Sequence, residues 1–223
     1  MNKTIKKVIP ILLIIIGILF LLTPFILEQV VKHYSKSVID ETISKETLKA
    51  NNENDDLEVE YDFSAIEDVD IKSIISGSQN LNKDYVIGTL YIPDLDINLP
   101  IMKGLTNANL MAGAATMKPE QSFGTGNYTL AGHRMKNKDL LFGSLMDIEK
   151  GSKVYVSDGE KIYEYVIYNT VVVPDTAMEM LSDNKADEKG KPIISLMTCY
   201  FSSKTGKRFF AIGELVDEYL IED

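Results

Sequence analysis

An unbroken apolar run over residues 8–27, without one charged side chain, is the feature that most limits how this chain can fold. At about 1.5 Å rise per residue, a helix of that run spans roughly 30 Å, the thickness of a bilayer's hydrocarbon core. The run therefore reads as a transmembrane helix. Lys3, Lys6 and Lys7 precede it and Glu28 follows at once, so the positive-inside tendency places residues 1–7 in the cytoplasm and everything after residue 27 outside. A cleaved signal peptide has an apolar region of only about 7–15 residues ending at a small-residue site. Pro24-Phe25-Ile26-Leu27-Glu28 offers no such site. The expectation is an uncleaved, single-pass anchor in the cell membrane.

Residues 28–80 read as an extracellular stalk and linker. Val30, Val31, Tyr34, Val38 and Ile39 alternate with charges at near-helical spacing up to Leu48, which predicts a helix rising from the membrane. Residues 50–70 are dominated by Asn, Asp and Glu, a composition that favours a solvated linker over a packed core. His33 falls in the stalk and reads as a solvated or interfacial residue. The compact domain is expected over residues 81–223.

A formal net charge of -10 argues against nucleic-acid binding, which needs a basic face to neutralise phosphates. One cysteine cannot make an internal disulfide, so the exported domain must rest on its apolar core, and the thiol is free for chemistry. Two distant histidines and one cysteine lack the paired spacings of a zinc site. No metal or cofactor is expected.

From residue 85 the apolar residues come in short β-branched and aromatic runs, at 86–92, 97–101, 128–131, 154–156, 162–168, 192–198 and 208–216. Such runs predict strands. Asp158-Gly159 predicts a type I′ hairpin turn. Residues 106–114, 139–146 and 176–181 are read as short helices. Many short strands with few helices predict an all-β, closed or nearly closed barrel.

Ser195-Leu196-Met197-Thr198-Cys199 ends one apolar strand, and Arg208 opens the next. If the two are antiparallel neighbours, Cys199 and Arg208 face each other at one sheet end. A thiolate attacks carbonyls, and a guanidinium beside it can hold the substrate backbone or the oxyanion. His133, the sole histidine of the compact domain, follows the strand-like Tyr128-Thr129-Leu130-Ala131-Gly132 and can exchange protons with amines. Lys207 is the alternative cation. Each residue alone has an ordinary reading: a buried thiol, a surface imidazole, an edge charge.

Taken together, Leu196-Met197-Thr198-Cys199 resembles the Leu-x-Thr-Cys signature of sortases. Leu130-Ala131-Gly132-His133 resembles the segment that holds their histidine, and Arg208 matches the place of their arginine. The resemblance runs from about residue 81 to 218, and the anchor fits class A members. Ser195 departs from a common threonine, with no functional consequence expected.

The resemblance implies an eight-stranded closed β-barrel with short helices, and a cysteine transpeptidase acting on the Leu-Pro-x-Thr-Gly sorting signals of secreted proteins. Cys199 is then the nucleophile that forms a thioacyl enzyme, and His133 the proton carrier. Arg208 steadies the carbonyl, and an amine of a peptidoglycan precursor of the lipid II type is the acceptor. Thr198 is expected to bind substrate or brace the site, and Ala131 to leave space beside the histidine. The segment 173–181 resembles the family's wall around the substrate leucine and proline, with Val173, Pro174, Ala177, Met180 and Leu181 as its apolar lining. Some relatives bind calcium through carboxylates before the histidine strand; residues 107–115 here have none, and activity independent of calcium is expected. Two readings compete: a surface peptidase using water as acceptor, although papain-like enzymes place cysteine before histidine, and a non-catalytic binding module with a merely buried Cys199.

Overall fold

The computed structural model describes residues 3–42, 44–54, 57–69, 73, 77 and 80–221. Lys3, Lys6 and Lys7 lie outside the described side chains, and Asp55, Asp56 and Asp70 of the expected linker lie outside the described residues.

Helix α1 (Lys3–Thr42) is continuous through the apolar run and well past it. Its stretch Val8–Ile39 is long and apolar enough to cross a membrane, and its side chains are exposed from Val8 through Leu22. Beyond residue 27 the helix leans on the barrel, with Val31 and Val38 fully buried. The expected stalk helix thus stops at Thr42, and a second helix, α2 (Lys45–Asn52), starts afresh. Ser44 caps it, its Oγ accepting from Thr47 N at 3.1 Å, which satisfies one of the orphan donors of a first turn.

Eight strands follow: β1 (Val86–Ile92), β2 (Ile97–Met102), β3 (Ala114–Thr116), β4 (Asn127–Ala131), β5 (Lys153–Ser157), β6 (Lys161–Pro174), β7 (Ile193–Cys199) and β8 (Lys207–Leu220). They close a barrel in the order β1-β2-β3-β4-β7-β8-β6-β5. Most neighbours are antiparallel, while β2 with β3 and β4 with β7 run parallel. The long β6 and β8 pair from Lys161↔Leu220 to Pro174↔Lys207, with register shifts at Glu164/Tyr165 and Ile167/Asn169. Such irregularities bend and twist a pair of long strands, as closure requires.

Alternation along the strands makes two apolar layers. Leu130 of β4, Ile194 and Leu196 of β7 and Ala211 of β8 belong to the barrel interior, with Leu90, Ile101, Tyr165 and Ile167. Ala131, Ile193, Met197, Cys199, Phe210 and Ile212 form a second cluster on the outer face, covered by Met180, Leu181 and Ile66. Side chains two apart share a face, so this outer cluster is the floor of whatever site Cys199 serves.

Several local expectations change. Residues 139–146 form turns and a 3₁₀ turn at Leu145–Asp147 rather than a helix, because Leu141 sits at φ 49, outside helical space. The helix expected at 176–181 is a 3₁₀ turn at Met178–Leu181, and that at 106–114 is α3 (Asn107–Ala112). The β5–β6 hairpin is present, but its last cross-strand pair is Ser157↔Ile162. Only Gly159 of the turn has positive φ. Asp158 Oδ1 holds the bend by accepting from Glu160 N at 2.8 Å and Lys161 N at 2.7 Å, in place of a two-residue type I′ turn.

The stretch read as a solvated linker packs on the barrel instead. Asn51 and Ile66 are buried. Asn51 Nδ2 donates to Val86 O at 2.8 Å, and Asn52 Nδ2 to Ile87 O at 2.8 Å. Further on, Tyr61 forms a parallel bridge with Leu105, with Leu105 N donating to Glu60 O and Asp62 N to Leu105 O, both at 2.8 Å. The polar composition is used in these bonds to barrel backbone, and the few apolar side chains find a surface to cover.

Candidate active site

The outer face of β4, β7 and β8 gathers the chemistry. In the antiparallel pair β7/β8, Cys199 stands directly opposite Arg208, which puts the two side chains on one face of the sheet. On the other side of β7, the parallel strand β4 aligns Ala131 with Met197. Gly132 N continues the ladder to Met197 O at 3.0 Å. His133 therefore leaves β4 level with Cys199, one strand spacing away, about 4.8 Å in the hydrogen-bonding direction. Lys207, one residue before Arg208, falls on the opposite face by the same alternation and is exposed.

Local sequence fixes these positions. Thr198 is fully buried, and its Oγ1 donates to Gly132 O at 2.8 Å, so its hydroxyl ties the cysteine strand to the histidine strand. At Gly132 a Cβ would meet the Phe142 ring at 2.5 Å; glycine lets the Phe142 ring, fully buried, press on the backbone just before His133. Phe142 N also donates to His133 O at 3.1 Å. Ala131, fully buried, packs in the floor beside this strand end.

The pocket wall is pinned from below. Ser195 Oγ hydrogen bonds to Asn127 Oδ1 at 2.8 Å, and Asn127 Nδ2 donates to Met180 O at 2.9 Å and Ser182 O at 3.2 Å. Asn127 N donates to Asp183 Oδ1 at 2.7 Å. Gly126, at φ 50, has no Cβ to block that carboxylate. The hydroxyl at Ser195 thus has structural work beneath the wall, which the sequence reading did not assign to it.

Pro174, Ala177 and Leu181 line a groove beside Arg208, together with Met117, Asp175, Met178, Met197 and Phe210. Val173 is partly buried against the same cluster, and Met180 is buried within it. The sequence reading missed Met117, Met197 and Phe210. Period-two alternation from Cys199 to Met197, and from Arg208 to Phe210, was the available signal.

The groove is occupied by the chain itself. Phe63 and Ile66 line it from the solvent side. The Ile66 carbonyl accepts from Arg208 Nη2 at 3.3 Å and lies 3.8 Å from Cys199 Sγ. Asp68 fastens the far end, its Oδ1 accepting from Ser203 N at 2.8 Å. Burying Ile66 stabilises this strap by roughly 1.5–3 kcal/mol, opposed by the entropy of ordering the segment. With the strap in place Cys199 and His133 are each 2% exposed.

Burial sets their protonation. Desolvation pushes the Cys199 thiol above its ordinary value; Arg208 pulls it back, Asp68 and Asp175 add to the rise, and Arg134 opposes it. Desolvation lowers His133 to about 4, against smaller upward pulls from the Glu67 backbone and the Asp68 carboxylate. Neither ring nitrogen has a partner in hydrogen-bonding geometry, so the Glu67 pull is weak and burial dominates. The resting pair is a neutral thiol and a neutral imidazole.

Comparison with known proteins agrees with this geometry. Residues 90–216 match the family described as Sortase domain. The chain is 40% identical to sortase A of Listeria monocytogenes over 210 residues, covering 94% of this chain and 91% of that protein. It is 38% identical to sortase A of Bacillus anthracis over 155 residues, 70% of each. The crystal structure of Listeria monocytogenes sortase A superposes with a TM-score of 0.56 at 37% identity, covering 62% of this chain and 92% of that one. With more than half its length matched and a full-length relative well above the level at which families diverge, the chain belongs to the sortase family and is a sortase transpeptidase of cell-wall protein sorting.

Proposed function

We infer that the protein cleaves the Thr-Gly bond of Leu-Pro-x-Thr-Gly sorting signals and joins the threonine carboxyl to an amine of a peptidoglycan precursor. The observation that carries this reading is the shared face of Cys199 and Arg208, with His133 level with them on the next strand.

Because the resting pair is neutral, His133 takes the thiol proton as Cys199 Sγ attacks the threonine carbonyl. Arg208, whose forked donors suit a carbonyl oxygen gaining charge, holds the tetrahedral intermediate. Collapse breaks the C–N bond, and the proton on His133 leaves with the glycine amine. The acceptor amine then attacks the thioester, its proton passes to His133, and the departing thiolate recovers it. The substrate leucine and proline fit the groove formed by Pro174, Ala177 and Leu181, with Val173 and Met180 backing it. Thr198 and Ala131 position the two strands rather than touch substrate. Substrate entry requires Ile66 to leave the groove.

The anchor is assigned to residues 8–27, with residues 1–7 cytoplasmic, the connection at 28–80 and the catalytic barrel at 81–223 outside the cell. Incubation with a Leu-Pro-x-Thr-Gly peptide should yield a thioester on Cys199 by mass spectrometry, and added amine should convert it to the amide. Hydrolysis alone, with no amide adduct, would make the protein a peptidase and overturn the reading.

A further inference from the structure

Helix α1 is fastened to the barrel beside the catalytic mouth. Val31 and Val38 are fully buried, and Leu27 and Val30 pack against the barrel core. Asn137 Nδ2, in the loop after His133, donates to Glu28 Oε2 at 3.0 Å. Glu28 is the first charged residue after the apolar run, so this loop meets the helix where it leaves the hydrocarbon.

A groove lies at the junction. Pro24 and Leu27 form one side; Arg134, Lys136 and Phe201 face them, with Glu28 and Asp68 also at its edge. Pro24 belongs to the apolar run and lies roughly 6 Å below Glu28 along the helix axis. Side chains level with Pro24 and Leu27 are therefore at the boundary between the acyl chains and the headgroups. Phe201 is 56% exposed and is held outward at φ 61. Its carbonyl accepts from Arg134 Nη1 at 2.9 Å, and the guanidinium lies 5.6 Å from its ring centroid. Both acids at the edge are engaged, Glu28 by Asn137 and Asp68 by Ser203. Among the described residues no ion pair commits Arg134 or Lys136. An exposed ring flanked by cations, set at this depth, is the chemistry that binds a lipid surface.

We propose that Arg134, Lys136 and Phe201 form a rim that seats the catalytic mouth on the outer leaflet. The two cations take phospholipid headgroup phosphates, and the Phe201 ring enters among the upper acyl carbons. The proposal rests on the anchored-transpeptidase reading and adds the route of its second substrate. An acceptor amine carried on a lipid of the same leaflet meets the thioester without leaving the membrane plane.

The chain contains no tryptophan, so Phe201→Trp gives the full-length protein a single tryptophan, excited apart from the tyrosines at long wavelength. Glu160→Trp is the control, because Glu160 contacts Lys49 of α2, whose neighbour Leu48 clusters with Val38, about 15 Å of helix rise above Glu28. In phosphatidylglycerol-containing vesicles, lipids brominated near the headgroup end of the chain should quench the fluorophore at 201 and spare that at 160. No quenching at 201, in protein that stays with the vesicles through an alkaline wash, overturns the rim and leaves the anchor intact. Protein that washes off overturns the anchor and the rim together. In addition, Lys136→Ser combined with Phe201→Ser should slow transfer to a lipid-linked amine at least about five-fold, the scale of one headgroup contact. Thioacyl formation and transfer to a soluble amine should be unchanged. Equal rates for the lipid-linked amine in variant and parent overturn the proposal. Absence of transfer in the parent counts against the transpeptidase reading, and the quenching measurement still decides the rim.

Discussion

Arg208 donates from Nη2 to the main-chain carbonyl of Ile66 at 3.3 Å. In the proposed reaction the substrate carbonyl takes that same donor, and the strap and the substrate then exclude each other at this position. Ile66→Gly should loosen the strap, since it removes the buried side chain that holds the segment in the groove, a contact of roughly 1.5–3 kcal/mol. The expected result is alkylation of Cys199 by a small thiol reagent at least about ten-fold faster, the effect of roughly 1.4 kcal/mol on the open population. An unchanged rate in timed mass spectrometry would mean that the groove is already open in solution.

Cys199→Ala should abolish thioacyl formation with the fold retained, because covalent catalysis has no substitute nucleophile. Arg208→Lys should lower turnover by about 10²-fold, as a point charge replaces forked donation to an oxyanion. Turnover in the lysine variant equal to that of the parent would remove Arg208 from the mechanism.

His133 carries a sign-definite pH dependence. Its folded value of about 4 lies below the ordinary 6.5, so between those limits the unfolded or unstrapped chain binds the proton that the closed site refuses. Stability of the closed site is complete above pH 6.5 and falls as pH drops towards 4, by up to about 3 kcal/mol. Denaturation midpoints of parent and His133→Gln, followed from pH 7 to 4.5, should converge; parallel curves would sink the assignment.

Asn127→Leu removes the amide that holds the Met180 and Ser182 carbonyls and leaves Ser195 without its partner. The wall then loosens, and KM for the peptide should rise several-fold with alkylation of Cys199 unimpaired. Destabilisation of about 1–3 kcal/mol is expected from the orphaned buried groups. A variant with parental KM would show that the wall holds without this bond.

The strands from Val86 onward were legible because β-branched runs and alternation are local signals. The meeting of Cys199 with Arg208 followed from the same logic, since one ends a strand and the other opens its neighbour. β3 escaped notice because Ala114-Ala115-Thr116 carries no run of β-formers, and its place is set by its neighbours β2 and β4. The strap was hidden by composition: two apolar side chains three residues apart, Phe63 and Ile66, stand among acids, of which Asp62 bonds locally to Ser64 and Asp68 to the distant Ser203 backbone. Only the barrel surface gives those two residues a reason to be apolar. The pinned wall was invisible too, as Asn127 and Ser195 lie far apart in sequence and meet only through the β4/β7 pairing.

The strap is bounded at both ends by fixed points, α2 through Asn51 and Asn52 on one side and β1 on the other. It is therefore a tethered competitor whose effective concentration does not fall when the enzyme is diluted. An incoming substrate that uses this groove meets the same internal threshold at any enzyme concentration, and dilution alone cannot open it.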